Sequence, residues 1–165
     1  MTTAVFPGKF DPITNGHLDI TRRAAKLFDK VVVGVYETPP NRTLFTTEER
    51  VELIRQSTAN LPNVEVASFR GLVVNFAKQV GAQTLVRGLR VGSDFEREFA
   101  MSLMNKTLSH DCELVCLMSD LRYQFLSSSL LKEAAGLGGF VDNLVPTPVA
   151  IALKGKFSSP VKSVK

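Results

Sequence analysis

Five short β-branched runs, AVF at 4–6, VVVGVY at 31–36, VEVASF at 64–69, TLVRG at 84–88 and ELVCLM at 113–118, alternate with segments of helical period. Several runs are apolar at consecutive positions, the pattern of strands buried on both faces rather than on one. Strands that need cover on both sides, separated by helices, demand a mostly parallel sheet with right-handed crossovers. The helical stripes fall at Leu18, Thr21, Ala24, Ala25 and Phe28, at Val51, Ile54 and Thr58, and at Leu72, Val73, Phe76 and Val80. Two more fall at Phe95, Phe99, Leu103 and Met104, and at Leu130, Leu131, Ala134 and Ala135. Thr46 or Thr47 ahead of Glu48 and Glu49 marks a helix start, and Gly81 a helix stop. With no internal repeat or low-complexity linker, residues 1–157 read as one α/β domain, a five-stranded mostly parallel sheet with helices on both faces. Residues 158–165 read as a basic tail.

Composition narrows the function classes. The chain is 44% apolar and 22% charged, as in ordinary globular proteins. No apolar stretch reaches the roughly 18 residues of a membrane span, and the N-terminus lacks a basic region followed by an apolar run. Cys112 and Cys116, in CELVC, form neither a CxxC pair nor a disulfide framework, and read as two buried thiols in a reducing, cytoplasmic setting. The formal charge of +4 arises wholly from Lys154, Lys156, Lys162 and Lys165, leaving residues 1–153 neutral. A basic excess confined to a solvated end is weak evidence for nucleic acid, and with no apolar span neither nucleic acid nor membrane is expected as a partner.

In a sheet of this kind ligands sit at the carboxyl ends of the strands, so function is expected in the loops that follow them. The first, PGKFDPITNGH, frames His17 with Pro7, Gly8, Pro12 and Gly16 at the start of a helix. Gly16 leaves room for a group to approach the backbone, and a helix start offers unpaired N–H groups; both favour a phosphate beside the His17 ring. The loop after the fourth run, VRGLRVGSDFERE, carries Arg87, Gly88 and Arg90, then Ser93 or Asp94 as a helix cap. Two arginines about a glycine suit phosphate oxygens; alternatively Asp94, Glu96 and Glu98 neutralise them on a solvated helix face. The loop after the fifth run ends in Ser127, Ser128 and Ser129, one serine for capping and two in excess. Neither G-x-x-x-x-G-K-[ST] nor G-x-G-x-x-G occurs, so a triphosphate would be held by other means. His110, in a polar SHDC turn, offers no nucleophile–base pair.

Thr14-Asn15-Gly16-His17 matches the T-x-G-H signature of nucleotidylyltransferases. Together, FDPITNGHLDI, LFTTEER, VRGLR…DFERE and FLSSSLLKE resemble the phosphopantetheine adenylyltransferase family, from about residue 4 to residue 157. The resemblance implies a Rossmann-like domain that transfers the adenylyl group of ATP to 4′-phosphopantetheine, giving dephospho-coenzyme A and pyrophosphate. It implies a homohexamer, magnesium brought by the ATP phosphates rather than a protein-held metal, and coenzyme A as an inhibitor in the same pocket. Carried over, His17 stabilises the transition state, assisted by Lys9 and Arg90. Lys9, Phe10, Gly88, Leu89, Arg90, Glu98 and the segment Tyr123, Gln124, Phe125, Leu126, Ser127, Ser128 and Ser129 hold ATP. Lys9, Asn41, Arg42, Val73 and Arg87 contact phosphopantetheine.

The chain departs from the family pattern twice: Lys9 replaces a usual Thr or Ser, and Asn41 a usual Lys. A swap is expected, in which Lys9 or the neighbouring Arg42 supplies the cation that position 41 lacks. The alternatives are another small-molecule nucleotidylyltransferase of the same fold, or a nucleotide-binding module without catalysis. The DFERE and SSSLLKE blocks argue against the first, and His17 with the arginine loop against the second.

Overall fold

In the computed structural model, which describes residues 1–39 and 42–158, each of the five runs forms a strand. The order is β1 (Thr3–Gly8), α1 (Asn15–Leu27), β2 (Lys30–Tyr36), α2 (Thr47–Thr58), β3 (Val64–Phe69) and α3 (Val73–Gln79). There follow β4 (Thr84–Leu89), α4 (Gly92–Leu108), β5 (Glu113–Met118), α5 (Ser128–Gly136) and α6 (Thr147–Phe157). All neighbouring strands pair in parallel in the order β3-β2-β1-β4-β5. The chain winds one way from β1 to β3 and the other way from β4 to β5, so a crevice opens beyond the carboxyl ends of β1 and β4.

The alternation of side chains along the strands feeds two cores. On one face Ala4, Phe6, Val31, Val33, Val35 and Val86 pack with residues of α1, α2, α5 and α6. On the other, Val5, Val32 and Leu85 meet Val74, Phe76 and Ala77 of α3. Thr46 caps α2 in a reciprocal box with Glu49, and Gly81, at φ 70°, stops the chain after α3.

Three expectations are corrected. First, α6 was not legible as a helix, because Pro148 reads as a breaker and KGK as a tail. The proline sits in the first turn, where its missing N–H costs nothing, and Val149, Ala150 and Leu153 are buried. Lys154 and Lys156 are thus helical and paired with Asp142 and Glu49 instead of belonging to a solvated end; residues 159–165 lie outside the described residues. Second, the α4 stripe is not core: Phe95, Phe99, Leu103 and Met104 are each more than half exposed (55–57%), and no α4 residue is buried. Third, Cys112 is buried but Cys116, on the β5 edge strand, is exposed; both are free thiols.

Two buried charges join the loops at the carboxyl edge. Arg50, 1% exposed, donates to the carbonyls of Lys9 (2.7 Å), Tyr36 (2.9 Å) and Thr46 (3.3 Å) and to the Thr47 hydroxyl (2.9 Å). Asp11, equally buried, accepts the backbone N–H groups of Leu44 and Phe45 at 3.0–3.1 Å and pairs with Lys132 of α5. Its carboxyl is held below the ordinary range: burial pushes the other way, but the Lys132 ammonium and those two amides prevail. Replacing Arg50 by Met would leave several buried carbonyls unpaired in a pocket of similar volume. Arg50→Met is expected to lower unfolding free energy by about 2–4 kcal/mol in urea titrations; a loss under ~0.5 kcal/mol would show that water replaces the guanidinium.

Candidate active site

A cavity of about 390 Å³ occupies the crevice. Its walls are the loop after β1, the end of β4, the start of α4 and the segment leading into α5.

His17 stands at its centre as the third residue of α1. Thr14 caps the helix and shares a box with it: the Thr14 hydroxyl accepts the His17 N–H (3.4 Å), and His17 Nδ1 accepts the Thr14 backbone N–H (3.1 Å). The Thr14 hydroxyl lies 3.0 Å from the same Nδ1, so both neighbours can donate to that nitrogen. An Nδ1 that accepts is unprotonated, which places the proton of a neutral ring on Nε2. Burial of the ring, then the charges of Arg90 and Arg87, lowers the His17 pKa to about 4. Phe10 meets the ring edge-on, centroids 5.2 Å apart, and itself takes a left-handed backbone (φ 46°) that puts its side chain beneath the site. Such a conformation costs on the order of 1–3 kcal/mol for a residue other than glycine. The surrounding bonds of Asp11 and Arg50 hold it.

The arginines diverge from each other. Arg87 makes a two-pronged pair with Glu98 (2.6 and 2.9 Å) and donates to the Pro7 carbonyl at 2.6 Å. Arg90 makes the like pair with Asp94 (3.0 and 3.1 Å) but donates to the Leu126 carbonyl at 3.1 Å. Both expected roles therefore coexist: each guanidinium lines the cavity and each is neutralised by a carboxylate of α4. The bonds to Pro7 and Leu126 assign them to two lobes, one beside the β1 loop and one beside the start of α5. His17, whose pKa feels both charges, lines the same cavity.

The three serines divide the work. Ser127 caps α5 through the Leu130 N–H, Ser128 donates to the Pro12 carbonyl at 2.8 Å, and Ser129 is exposed on the cavity wall. Lys9, Phe10, Gly88, Glu98, Tyr123 and Leu126 also line the cavity. Gly88 is required there because a Cβ would lie 3.0 Å from Ile20 of α1.

Other expected site residues lie outside this cavity. Leu89 is buried, and Val73 packs in the α3 core; neither lines the cavity, nor do Gln124, Phe125 and the exposed Arg42. Asn41 lies outside the described residues. Gly16 lines the cavity, and Tyr123 approaches it closely, 3.2 Å from where a Cβ would be. Neither Ser93 nor Asp94 caps α4: the cap residue is Val91, and Asp94 turns back to the Arg90 N–H. Sequence reasoning missed Asp11, Thr14, Arg97 and Lys132, all on the cavity wall. The T-x-x-H spacing could have found Thr14, by analogy with capping boxes whose third helical residue is Glu.

Among the described residues no three metal-ligating side chains cluster. The cavity carboxylates of Asp11, Asp94 and Glu98 are each paired with a cation. This donor set does not fit a protein-held magnesium.

Comparison with known proteins agrees with the geometry. The cytidylyltransferase-like family model matches residues 5–134. The phosphopantetheine adenylyltransferase of Moorella thermoacetica is 55% identical over 157 residues, 95% of this chain and 98% of that one. Those of a Dehalococcoides mccartyi strain (51% identical; 94% and 98% covered) and Herpetosiphon aurantiacus (50%; 99% and 99%) match similarly. A crystal structure from Vibrio parahaemolyticus, assigned as a nicotinate-nucleotide adenylyltransferase, shares the fold at TM-score 0.69 and 16% identity, covering 97% of this chain and 98% of that one. A T-x-G-H helix start, two arginines on the wall of the same cavity and half-identical relatives of matching length lead to one conclusion: the chain belongs to the phosphopantetheine adenylyltransferase family.

Proposed function

We propose that the protein transfers the adenylyl group of ATP to 4′-phosphopantetheine, forming dephospho-coenzyme A and pyrophosphate. The observation that carries this reading is an imidazole whose Nδ1 is taken up by Thr14, in a cavity that Arg87 and Arg90 also line. One anion in each lobe brings an acceptor phosphate oxygen to the α-phosphorus of ATP. A new P–O bond forms as the bond to the β-phosphate oxygen breaks, and that electron pair leaves with pyrophosphate. An ionised phosphate is its own nucleophile, so no general base is needed, and catalysis reduces to positioning and charge stabilisation. His17 donates from Nε2 to α-phosphate oxygens as their charge grows. Arg90, Tyr123, Leu126 and Ser129 form the nucleotide side, with Gly88, Phe10 and Glu98 on the adjoining walls. Arg87 lies on the acceptor side. Magnesium would come with the ATP phosphates, and no step is routed through a protein-held ion. Coenzyme A, which contains the acceptor moiety, would compete for the same cavity.

We also propose a cytoplasmic homohexamer. No helix among the described residues is long and apolar enough to cross a membrane. The apolar residues that α4 leaves uncovered, Phe95, Phe99, Leu103 and Met104 among them, are the surface that copies of the chain would bury.

Steady-state assay with pyrophosphate readout should give turnover with 4′-phosphopantetheine and at most trace turnover with glycerol phosphate or nicotinamide mononucleotide. His17→Ala should lower kcat about 100-fold or more while ATP affinity stays within about three-fold; near-normal turnover would make the ring purely structural. Ring ¹⁵N spectra should show the Nε2–H tautomer, neutral from pH 8 to about 5 and titrating near 4. Since the folded pKa lies below the unfolded value, the stability carried by the neutral ring is present at neutral pH. It declines as pH falls from about 6.5 towards 4. Titration of His17 near 6.5 would contradict this. Phe99→Glu should convert the assembly seen by light scattering to smaller species; an unchanged mass would place the interface elsewhere.

A further inference from the structure

We infer that α5 straps the two sides of the cavity together through Lys132 and Asp11, so that nucleotide and acceptor each strengthen the binding of the other, an inference that rests on the adenylyl-transfer reading above. Ser128 and Lys132 stand one helical turn apart on α5 and so share a face of it. Both grip the loop after β1. The Ser128 hydroxyl donates to the Pro12 carbonyl at 2.8 Å, and the Lys132 ammonium pairs with Asp11.

The two ends of this strap serve different substrates. Ser127 caps α5, and Arg90 reaches the Leu126 carbonyl just ahead of it, so the helix start belongs to the nucleotide side. The loop after β1 follows Pro7, whose carbonyl holds Arg87 on the acceptor side. Asp11 is 1% exposed, and its carboxylate also accepts the N–H groups of Leu44 and Phe45 at 3.0–3.1 Å, so it cannot shift without breaking the turn into α2. From α2, Arg50 returns the connection to the same loop by donating to the Lys9 carbonyl at 2.7 Å. Lys132 lines the cavity, and its ammonium has two N–H donors beyond the one given to Asp11. A nucleotide phosphate that draws on those donors pins the ammonium between two anions and, through Asp11, holds the loop still. The acceptor then meets a loop whose ordering is already complete, and its affinity rises. Linkage makes the effect mutual, since the acceptor must raise nucleotide affinity by the same factor.

Calorimetric titration of the full-length protein with 4′-phosphopantetheine, alone and with saturating α,β-methylene-ATP, whose bridging carbon blocks transfer, reads the coupling as a ratio of two acceptor affinities. In wild type the ratio should be about five-fold or more, with the same value when the order of ligands is reversed. Asp11→Asn keeps an oxygen for the two amides but loses the charge that holds Lys132. It should bring the ratio below about two-fold while each ligand alone binds within about three-fold of wild type. Lys132→Met should lower the ratio as far and also weaken the nucleotide alone, and Ser128→Ala should leave an intermediate ratio. If Asp11→Asn does not fold, the other two variants carry the test. A wild-type ratio that persists in Asp11→Asn and Lys132→Met would overturn the inference, as would weakening of both ligands at an unchanged ratio, which marks general loosening. Normal wild-type turnover with a ratio near one would overturn the strap alone. A wild type that binds neither ligand and does not turn over would bring down the adenylyl-transfer reading, and the strap with it.

Discussion

The buried guanidinium of Arg50 is the contact on which the shape of the crevice depends. It gathers the carbonyl of Lys9 after β1, that of Tyr36 at the end of β2, and those of Thr46 and the Thr47 hydroxyl at the start of α2. Loops at a strand edge carry many polar groups that no ladder satisfies, and here one side chain collects them. Asp11 does the complementary work, accepting amides from residues 44 and 45 and an ammonium from α5. Three loops from distant parts of the chain are thus fixed relative to one another. The strained backbone of Phe10 is sustained between them.

On that frame a single imidazole serves twice. The same Nδ1 that completes the Thr14 cap determines which nitrogen carries the proton, and so leaves Nε2–H as the free donor of a ring that lines the cavity. Burial, and then the charges of Arg90 and Arg87, keep the ring uncharged. Each guanidinium meanwhile rests on a carboxylate of α4, so incoming phosphates enter a site that is already electrostatically balanced rather than one with open positive charge. Glu98 and Asp94 keep the arginines extended across the cavity, which shortens the ordering that substrate must bring about.

The sheet was legible because its strands are short, β-branched and bounded by helical periods, and all five runs appear within two residues of their expected ends. The donor-rich loops were legible for the same reason: once a parallel sheet is inferred, its carboxyl edge is known. What escaped was set by tertiary contact. The α4 stripe has a helical period whether it faces a core or a second molecule, and sequence does not distinguish the two. Pro148 and KGK mimic a terminus, although burial of Val149 and Leu153 makes a helix of them. The close approach of Tyr123 at Gly16 was not foreseen, because glycine signals proximity without naming the neighbour. Asp11 and Lys132 lie 121 residues apart and carry no local pattern that joins them.

In the reaction proposed, the adenylyl group passes to the acceptor in one displacement, with no bond to the protein. The stereochemical course at the α-phosphorus measures this directly. With ATP made chiral there by sulfur substitution, one in-line attack by the acceptor phosphate gives dephospho-coenzyme A thiophosphate with inverted configuration. Retention would require two displacements, and with them a covalent adenylyl–protein intermediate in which His17, or another side chain of the cavity, acts as nucleophile instead of donor.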